Sequence, residues 1–247
     1  MNNPETIADE PKNIALIFAG GVGSRMGADI PKQFLKINNK PIIAITTSIF
    51  QNDPNISDIY IVMLKDYIDY TQEIVANYNL SKVRKIIPGG TTGQESIFNG
   101  LSAIKQDHAS EKVIVLIHDG VRPIIEDDLI SRCIESVQQF GTAISGIPAY
   151  ETQVTTDNNI VTNIIDRKMC WIARAPQCFY LDEILNAHFK AQENNDNEVI
   201  DSCTMIKKYS NKSLYLVQTI PNNIKVTTPI DYILVKSLLS ERTNNEN

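Results

Sequence analysis

Over its first 147 residues the chain alternates short apolar, β-branched runs with helical segments, and no other feature constrains the fold as strongly. Residues 13–19 (NIALIFA), 56–64 (ISDIYIVML), 83–87, 112–117 (KVIVLI) and 142–147 read as strands. Residues 41–51, 67–78, 94–105 and 127–140 read as the helices between them, with Ile97, Leu101 and Ile104 on one helical face. Strands this apolar need cover on both faces, which makes the expected fold α/β: a mainly parallel sheet with helices on both sides. In such sheets ligands sit beyond the carboxyl ends of the strands. Three loops therefore become candidates together, at 20–32, 89–96 and 118–123.

The pattern changes at 150–171. Val and Ile alternate with polar residues around Asp157-Asn158-Asn159, which predicts a projecting β-hairpin arm. Such an arm needs partners for its edges, and a homodimer contact is the simplest. Helices are expected again at 180–191, 202–208 and 229–240, and a strand at 214–217. With no internal repeat or dividing linker, the expectation is one domain over 13–240 between tails at 1–12 and 241–247.

Charge and composition narrow the function. Lys and Arg number 23 against 29 Asp and Glu, a formal net charge of −6, which argues against nucleic acid as a partner while leaving room for a local basic pocket. No apolar run approaches the ~18–20 residues of a membrane span. The opening MNNPETIADEPKN lacks a positive leader and an apolar core, so no signal peptide and no membrane partner are expected. Cys133, Cys170, Cys178 and Cys203 form no C-x-x-C pair and have no His at metal-ligand spacing. Zinc is disfavoured, and scattered thiols suit a cytoplasmic location.

The loop carrying the most chemistry is AGGVGSRMGADIPKQFL, residues 19–35. Glycines after a strand let backbone N–H groups approach an anion, and Arg25 and Lys32 add two cations, a combination suited to a nucleoside triphosphate. Two generic motifs fail here. The dinucleotide fingerprint has Met26 at its third glycine and no acidic residue about 20 positions on, and the phosphate loop lacks its Gly-Lys-Ser/Thr.

The whole segment, Ala19-Gly20-Gly21-Val22-Gly23-Ser24-Arg25-Met26 followed by Pro31-Lys32-Gln33-Phe34, resembles the cytidylyltransferases that act on small polyol phosphates. These are the 2-C-methyl-D-erythritol 4-phosphate and D-ribitol 5-phosphate cytidylyltransferases. The resemblance continues through Gly89-Gly90 to Ser96, His118-Asp119-Gly120-Val121-Arg122-Pro123, Pro176-Gln177-Cys178-Phe179 and Asn223-Ile224-Lys225-Val226-Thr227, almost the whole chain in order. It implies a Rossmann-like core that binds CTP, requires Mg²⁺ and releases pyrophosphate. It also implies a homodimer whose β-arm completes the other subunit's site. By the same resemblance Arg25, Lys32 and Lys225 are catalytic cations. Ala19, Gly20, Gly21, Gly23, Gly89, Gly90, Ser96 and Asp119 bind the nucleotide, and Asp119 also holds the metal. Asp119, Arg122, Thr152 and Arg167 bind the acceptor, with Arg167 supplied across the dimer. Taken alone, Asp119 reads as a turn aspartate, Lys225, Arg122 and Arg167 as surface charges, and Ser96 as a helix N-terminal residue.

Departures from the family pattern bear on the substrates. Gly93 and Glu95 stand where relatives often carry Arg and Asp in the cytosine loop. Ala-Gly-Gly at 19–21, Gly120-Val121 after His118-Asp119, and Ile200-Asp201-Ser202 lean towards the ribitol group. D-ribitol 5-phosphate, or a related pentitol or sugar phosphate, is the expected acceptor, with 2-C-methyl-D-erythritol 4-phosphate the alternative. Ala175 stands where relatives have a threonine that helps bind the acceptor phosphate; Arg174 precedes it and offers a cation in place of the lost hydroxyl. A CTP-binding module without turnover and a dehydrogenase are competing readings, disfavoured respectively by the retained cations and by Met26.

Overall fold

The computed structural model describes residues 10–21 and 30–245. The elements run β1 (Lys12–Ala19), β2 (Lys36–Ile37), β3 (Lys40–Pro41), α1 (Ile42–Asn52), β4 (Asp58–Met63), α2 (Ile68–Asn77), β5 (Val83–Pro88), α3 (Gly93–Asp107), β6 (Val113–Asp119), α4 (Leu129–Phe140) and β7 (Thr142–Pro148). They continue with β8 (Gln153–Asp157), β9 (Ile160–Ile165), β10 (Trp171–Tyr180), α5 (Leu181–Glu193), α6 (Ser202–Tyr209), β11 (Leu216–Gln218) and α7 (Pro229–Asn245). Seven strands form the main sheet in the order β11-β7-β10-β6-β1-β4-β5. All neighbours are parallel except β10, which runs antiparallel to both β6 and β7.

Side-chain alternation divides the core into two layers. Ala15 and Ile17 of β1, Ile59 and Ile61 of β4, and Ile114 and Leu116 of β6 pack with Ile43 and Phe50 of α1 and Cys133 and Val137 of α4. Their chain neighbours Ile14, Leu16, Tyr60, Val62, Val113 and Val115 point the other way, onto Leu101 of α3, Ile184 of α5 and Ile206 of α6. Each strand thus buries both faces, the physical reason for its unbroken apolar sequence. A third cluster seats α7, with Val235 against Ile42, Val121, Ile124 and Val226.

The short β2–β3 ribbon, β10 and the length of α7 differ from the sequence expectations. Strand β10 is missing from them because WIARAPQCFY carries a proline and an arginine, which count against a central strand. The sheet accommodates them with an irregularity: pairing to β7 jumps from Ala173↔Gly146 to Gln177↔Ile144. The tail expected at 241–247 is also shorter, because α7 continues to Asn245. The predicted hairpin is present as β8–β9, with Asn158 and Asn159 at φ 45° and 65°, the conformation a two-residue hairpin turn requires.

Candidate functional site

The parallel strands end on one side of the sheet, and the described parts of the three candidate loops meet there. The first is anchored by a residue that carried no role in the sequence reading. Gln33 is buried, and its Nε2 donates to the carbonyl of Ala19 at 2.7 Å and lies 3.8 Å from Met63 Sδ. Phe34 packs its ring on Tyr67 and Tyr70 at 5.1 and 5.0 Å between centroids. The Pro31-Lys32-Gln33-Phe34 turn is thereby pinned to the end of β1. This fixes where half-buried Lys32 emerges; burial raises the pKa of Asp231, hydrogen bonds from Thr228 and Thr227 outweigh it, and the charge of Lys32 adds to the lowering. Asp231 itself accepts from the backbone N–H of Thr227 and Thr228, at 3.0 and 2.7 Å. Gly23 and Arg25 lie outside the described residues.

The second loop closes over a cavity of about 450 Å³ between the ends of β1 and β5, lined by Phe18, Gly20, Gly21, Gly90, Gly93 and Ser96 among others. Ser96 organises it: its Oγ donates to Thr92 O at 2.8 Å and accepts from the N–H of Gly90 at 3.0 Å. The hydroxyl proton is committed to the loop, so Ser96 shapes the cavity and keeps one acceptor lone pair. A Cβ on Gly20 or Gly89 would lie 3.3 or 3.0 Å from that Oγ. At Gly90 a Cβ would meet Glu95 Cγ at 2.3 Å, so a side chain there would displace Glu95. Glu95 folds back so that Oε2 accepts from the Thr91 hydroxyl and N–H at 2.7 and 2.6 Å, which hold its carboxyl below the usual range. It is a loop fastener. Gly93, in contrast, faces open space.

The third loop builds the polar centre. Asp119, the last residue of β6, is buried; its Oδ2 accepts from Arg122 Nε at 2.6 Å and its Oδ1 from Lys225 Nζ at 2.5 Å. Burial alone would raise its pKa, but the charges of Arg122 and Lys225 outweigh that and hold it at about 2. Arg122 is also buried and donates a second bond to the carbonyl of Asn223 at 3.0 Å. It lies inside the wall as a strut, with Nε and one terminal nitrogen already committed. Asn223 ties in β10, donating from Nδ2 to Ala175 O at 2.7 Å, and the N–H of Val226 bonds Val121 O at 2.9 Å, fastening the 223–226 segment to the loop after β6. Lys225 is the exposed tip of this network, 39% exposed, with Nζ 5.7 Å from the ring of Phe18, which lines the cavity. Behind Asp119, His118 is fully buried and donates from Nε2 to Arg122 O at 3.1 Å; burial drives its pKa down to about 4, so the ring is neutral.

No cluster of three His, Cys, Asp or Glu side chains suited to a metal occurs among the described residues. Asp119 fits an Mg²⁺ that takes most of its ligands from phosphate oxygens and water. Each carboxylate oxygen makes one charged hydrogen bond and retains a further lone pair. Thr152 and Arg167 lie apart from this centre, on the arm. Both are exposed, and Arg167 donates to Tyr150 O at 2.9 Å at the arm's base. The structure brings together Ala19, Gly20, Gly21, Lys32, Gly89, Gly90, Ser96, Asp119, Arg122 and Lys225. It also adds Gln33, Asn223 and Asp231, which no local pattern announces because their partners are distant in sequence.

Comparison with known proteins adds the following. The family model for 2-C-methyl-D-erythritol 4-phosphate cytidylyltransferase (IspD) matches residues 13–241. A ribitol-5-phosphate cytidylyltransferase of Vibrio parahaemolyticus is 46% identical over 94% of this chain and 98% of its own length. A 2-C-methyl-D-erythritol 4-phosphate cytidylyltransferase of Clostridium botulinum is 38% identical over 94% and 99%. Among solved structures, the 2-C-methyl-D-erythritol 4-phosphate cytidylyltransferase of Francisella tularensis superposes with a TM-score of 0.75 at 28% identity, covering 91% of this chain and 99% of that one. The 4-diphosphocytidyl-2C-methyl-D-erythritol synthase of Anaerococcus prevotii reaches a TM-score of 0.80 at 24% identity, over 93% and 96% of the two chains.

Proposed function

The chain belongs to the 2-C-methyl-D-erythritol 4-phosphate cytidylyltransferase family, and we propose that it transfers CMP from CTP to D-ribitol 5-phosphate or a closely related pentitol phosphate. It is an enzyme, a nucleotidyltransferase, which sets aside the dehydrogenase and the inert-module readings. The observation that carries the proposal is the buried Asp119, held between Arg122 and Lys225 at the end of β6 beside the glycine-walled cavity. The choice of acceptor is supported by 46% and 43% identity to ribitol-5-phosphate cytidylyltransferases, against 38% to methylerythritol enzymes.

The chemistry follows from charge. A phosphate monoester is mostly dianionic near neutral pH, so its oxygen attacks the α-phosphorus of CTP without a general base. The new O–P bond replaces the bond to the β-phosphate bridging oxygen, and pyrophosphate departs. What the site must supply is the approach of two anions and stabilisation of charge on the leaving group. The cytidine moiety occupies the cavity walled by Gly20, Gly21, Gly90 and Gly93. Lys225 and Lys32 flank the phosphates, and Arg25 adds a cation from the loop after β1. Asp119 orients Lys225 and, with Arg122 neutralising it from behind, would hold an Mg²⁺ together with triphosphate oxygens. When bound, that ion supplies charge neutralisation on the triphosphate.

The arm carries exposed Val154, Ile160, Val161, Ile164 and Met169, an apolar surface suited to a second copy of the chain. A homodimer in which the arm brings Thr152 and Arg167 to the neighbouring site is therefore part of this reading. No helix among the described residues is long and apolar enough to cross a membrane, and all four cysteines are free, which supports a cytoplasmic location.

The test is pyrophosphate release with CTP and Mg²⁺, offering D-ribitol 5-phosphate and 2-C-methyl-D-erythritol 4-phosphate in parallel, with Lys32→Ala as control. Release with the first acceptor, lost in the control, is expected. Preference for the second would make this an enzyme of the methylerythritol reaction, the reading that the family model favours.

A further inference from the structure

One cation at the site has no counter-charge. Arg174 is half-buried, its Nε is sealed from solvent with no hydrogen-bond partner, and no carboxylate lies within ion-pair distance among the described residues. It sits in the irregular stretch of β10, between the paired positions Ala173 and Gln177. The carbonyls there all have partners. Ala175 O accepts from Asn223 Nδ2 at 2.7 Å, Pro176 O from Ser145 Oγ at 2.7 Å, and Arg174 O from Gln177 Nε2 at 3.4 Å. The guanidinium is what the local structure leaves unmatched. Burial and the nearby charge of Arg122 both lower its pKa, while Tyr150 and Asp231 act weakly the other way. Arg122 cannot share its acid, because Asp119 is already divided between Arg122 and Lys225. Asp231 spends Oδ2 on Thr227 and Thr228. Holding a guanidinium half out of water beside a second one is unfavourable unless an anion completes the site.

Sheet order says which anion. The nucleotide cavity lies at the ends of β1 and β5; Asp119 and Lys225 stand at β6; β10 lies on the other side of β6 from β1. Arg174 is therefore separated from the cytidine end by the catalytic pair, on the side from which the arm emerges. We propose that Arg174 binds the phosphate of the acceptor, its planar fork taking two oxygens of the dianionic monoester and presenting the third to CTP. Ala175 beside it lacks any hydroxyl that could do so, and the cation takes over that task. The proposal rests on the cytidylyltransferase reading given above.

The experiment compares wild type, Arg174→Ala, Arg174→Lys and the double variant Arg174→Ala/Ala175→Thr. In pyrophosphate release, Arg174→Ala should raise the acceptor KM about 10- to 100-fold, as for loss of a charged hydrogen-bonded pair. CTP affinity, measured by nucleotide titration, should change less than twofold. Arg174→Lys should recover part of the loss and the double variant some of it through the restored hydroxyl. Without ligands, Arg174→Ala should melt no lower than wild type, whereas a structural arginine would lose stability. Calorimetric binding of D-ribitol 5-phosphate to wild type and Arg174→Ala separates the two failures. Arg174-dependent binding without turnover would overturn the reaction and keep the phosphate site. Normal turnover with an unchanged acceptor KM, a raised CTP KM instead, or dissociation of a dimer as the sole effect would overturn the role of Arg174.

Discussion

The end of β6 and the β8–β9 arm are built on opposite principles. At β6, Asp119, Arg122, Asn223 and Lys225 are joined by short charged bonds, and all but the tip of Lys225 are buried. Among the described residues the arm's two strands pair only with each other, and Ile160 and Ile164 are 70% and 66% exposed. The first region satisfies its charges within one chain; the second leaves its apolar side chains exposed. The difference teaches how the work is divided. Electrostatic stabilisation of a transferring phosphoryl group requires preorganised charges, and those must be fixed by the subunit's own core. An apolar hairpin can be left unpartnered if assembly covers it.

This contrast is broken most severely at Asp119. Asp119→Ala should abolish pyrophosphate release and cost about 3–5 kcal/mol of stability, because Arg122 would remain buried without its counter-charge; activity assay and urea unfolding check both. Lys225→Met separates the two effects. It should lower kcat by about 10²–10³-fold, as for removal of one electrostatic stabiliser, with little change in melting temperature because the side chain is 39% exposed. On the arm the expectation reverses. If the proposed homodimer forms through the arm, Ile160→Ser with Ile164→Ser should leave the thermal melt nearly unchanged, yet give a monomer by sedimentation where wild type sediments as a dimer, and depress activity with it. A monomer that keeps full activity would refute the shared site.

Between the two lies Gln33→Ala, which strips the bond to Ala19 O. We expect a loss of about 1–2 kcal/mol and a raised CTP KM, since the pinned turn positions Lys32. The smallest effect is pH dependence. Burial lowers the pKa of both His118 and His188 to about 4 from an ordinary 6.5. Between pH 6.5 and 4 the unfolded chain takes up protons that the folded one refuses, so stability present above pH 6.5 is lost on acidification. Melting at pH 7 and pH 5 should show the drop. His188→Leu should flatten it, with no effect on turnover at pH 7.5.

Much of the fold was legible because buried strands announce themselves. The runs at 13–19, 56–64 and 112–117 are apolar throughout for the reason that both faces are covered, and they appear as β1, β4 and β6. The site was legible as a set of loops, since glycines and cations after strands have few other uses. Strand β10 was not, because its proline and arginine count against a central strand, and the irregularity that accommodates them exists only in its pairing to β7. Ser96 and Glu95 read from sequence as cytosine-loop residues. In space both are fasteners that hold the Gly89–Thr92 loop in shape, one through Gly90 N–H and the other through Thr91.

What the sequence by itself determined is periodicity and chemistry: a parallel α/β core, an Asn-Asn hairpin, a glycine loop with cations, and membership of a phosphate-transferring family. Those properties reside in residues adjacent along the chain or spaced by a helix or strand repeat. Tertiary structure decided which charges are paired. Arg122 and Arg174 are the same residue type, 52 positions apart, yet one is braced by Asp119 and Asn223 and the other has no carboxylate partner among the described residues. That distinction depends on β6, β10 and the 223–226 segment meeting at one point, and contacts between distant segments leave no local pattern to read.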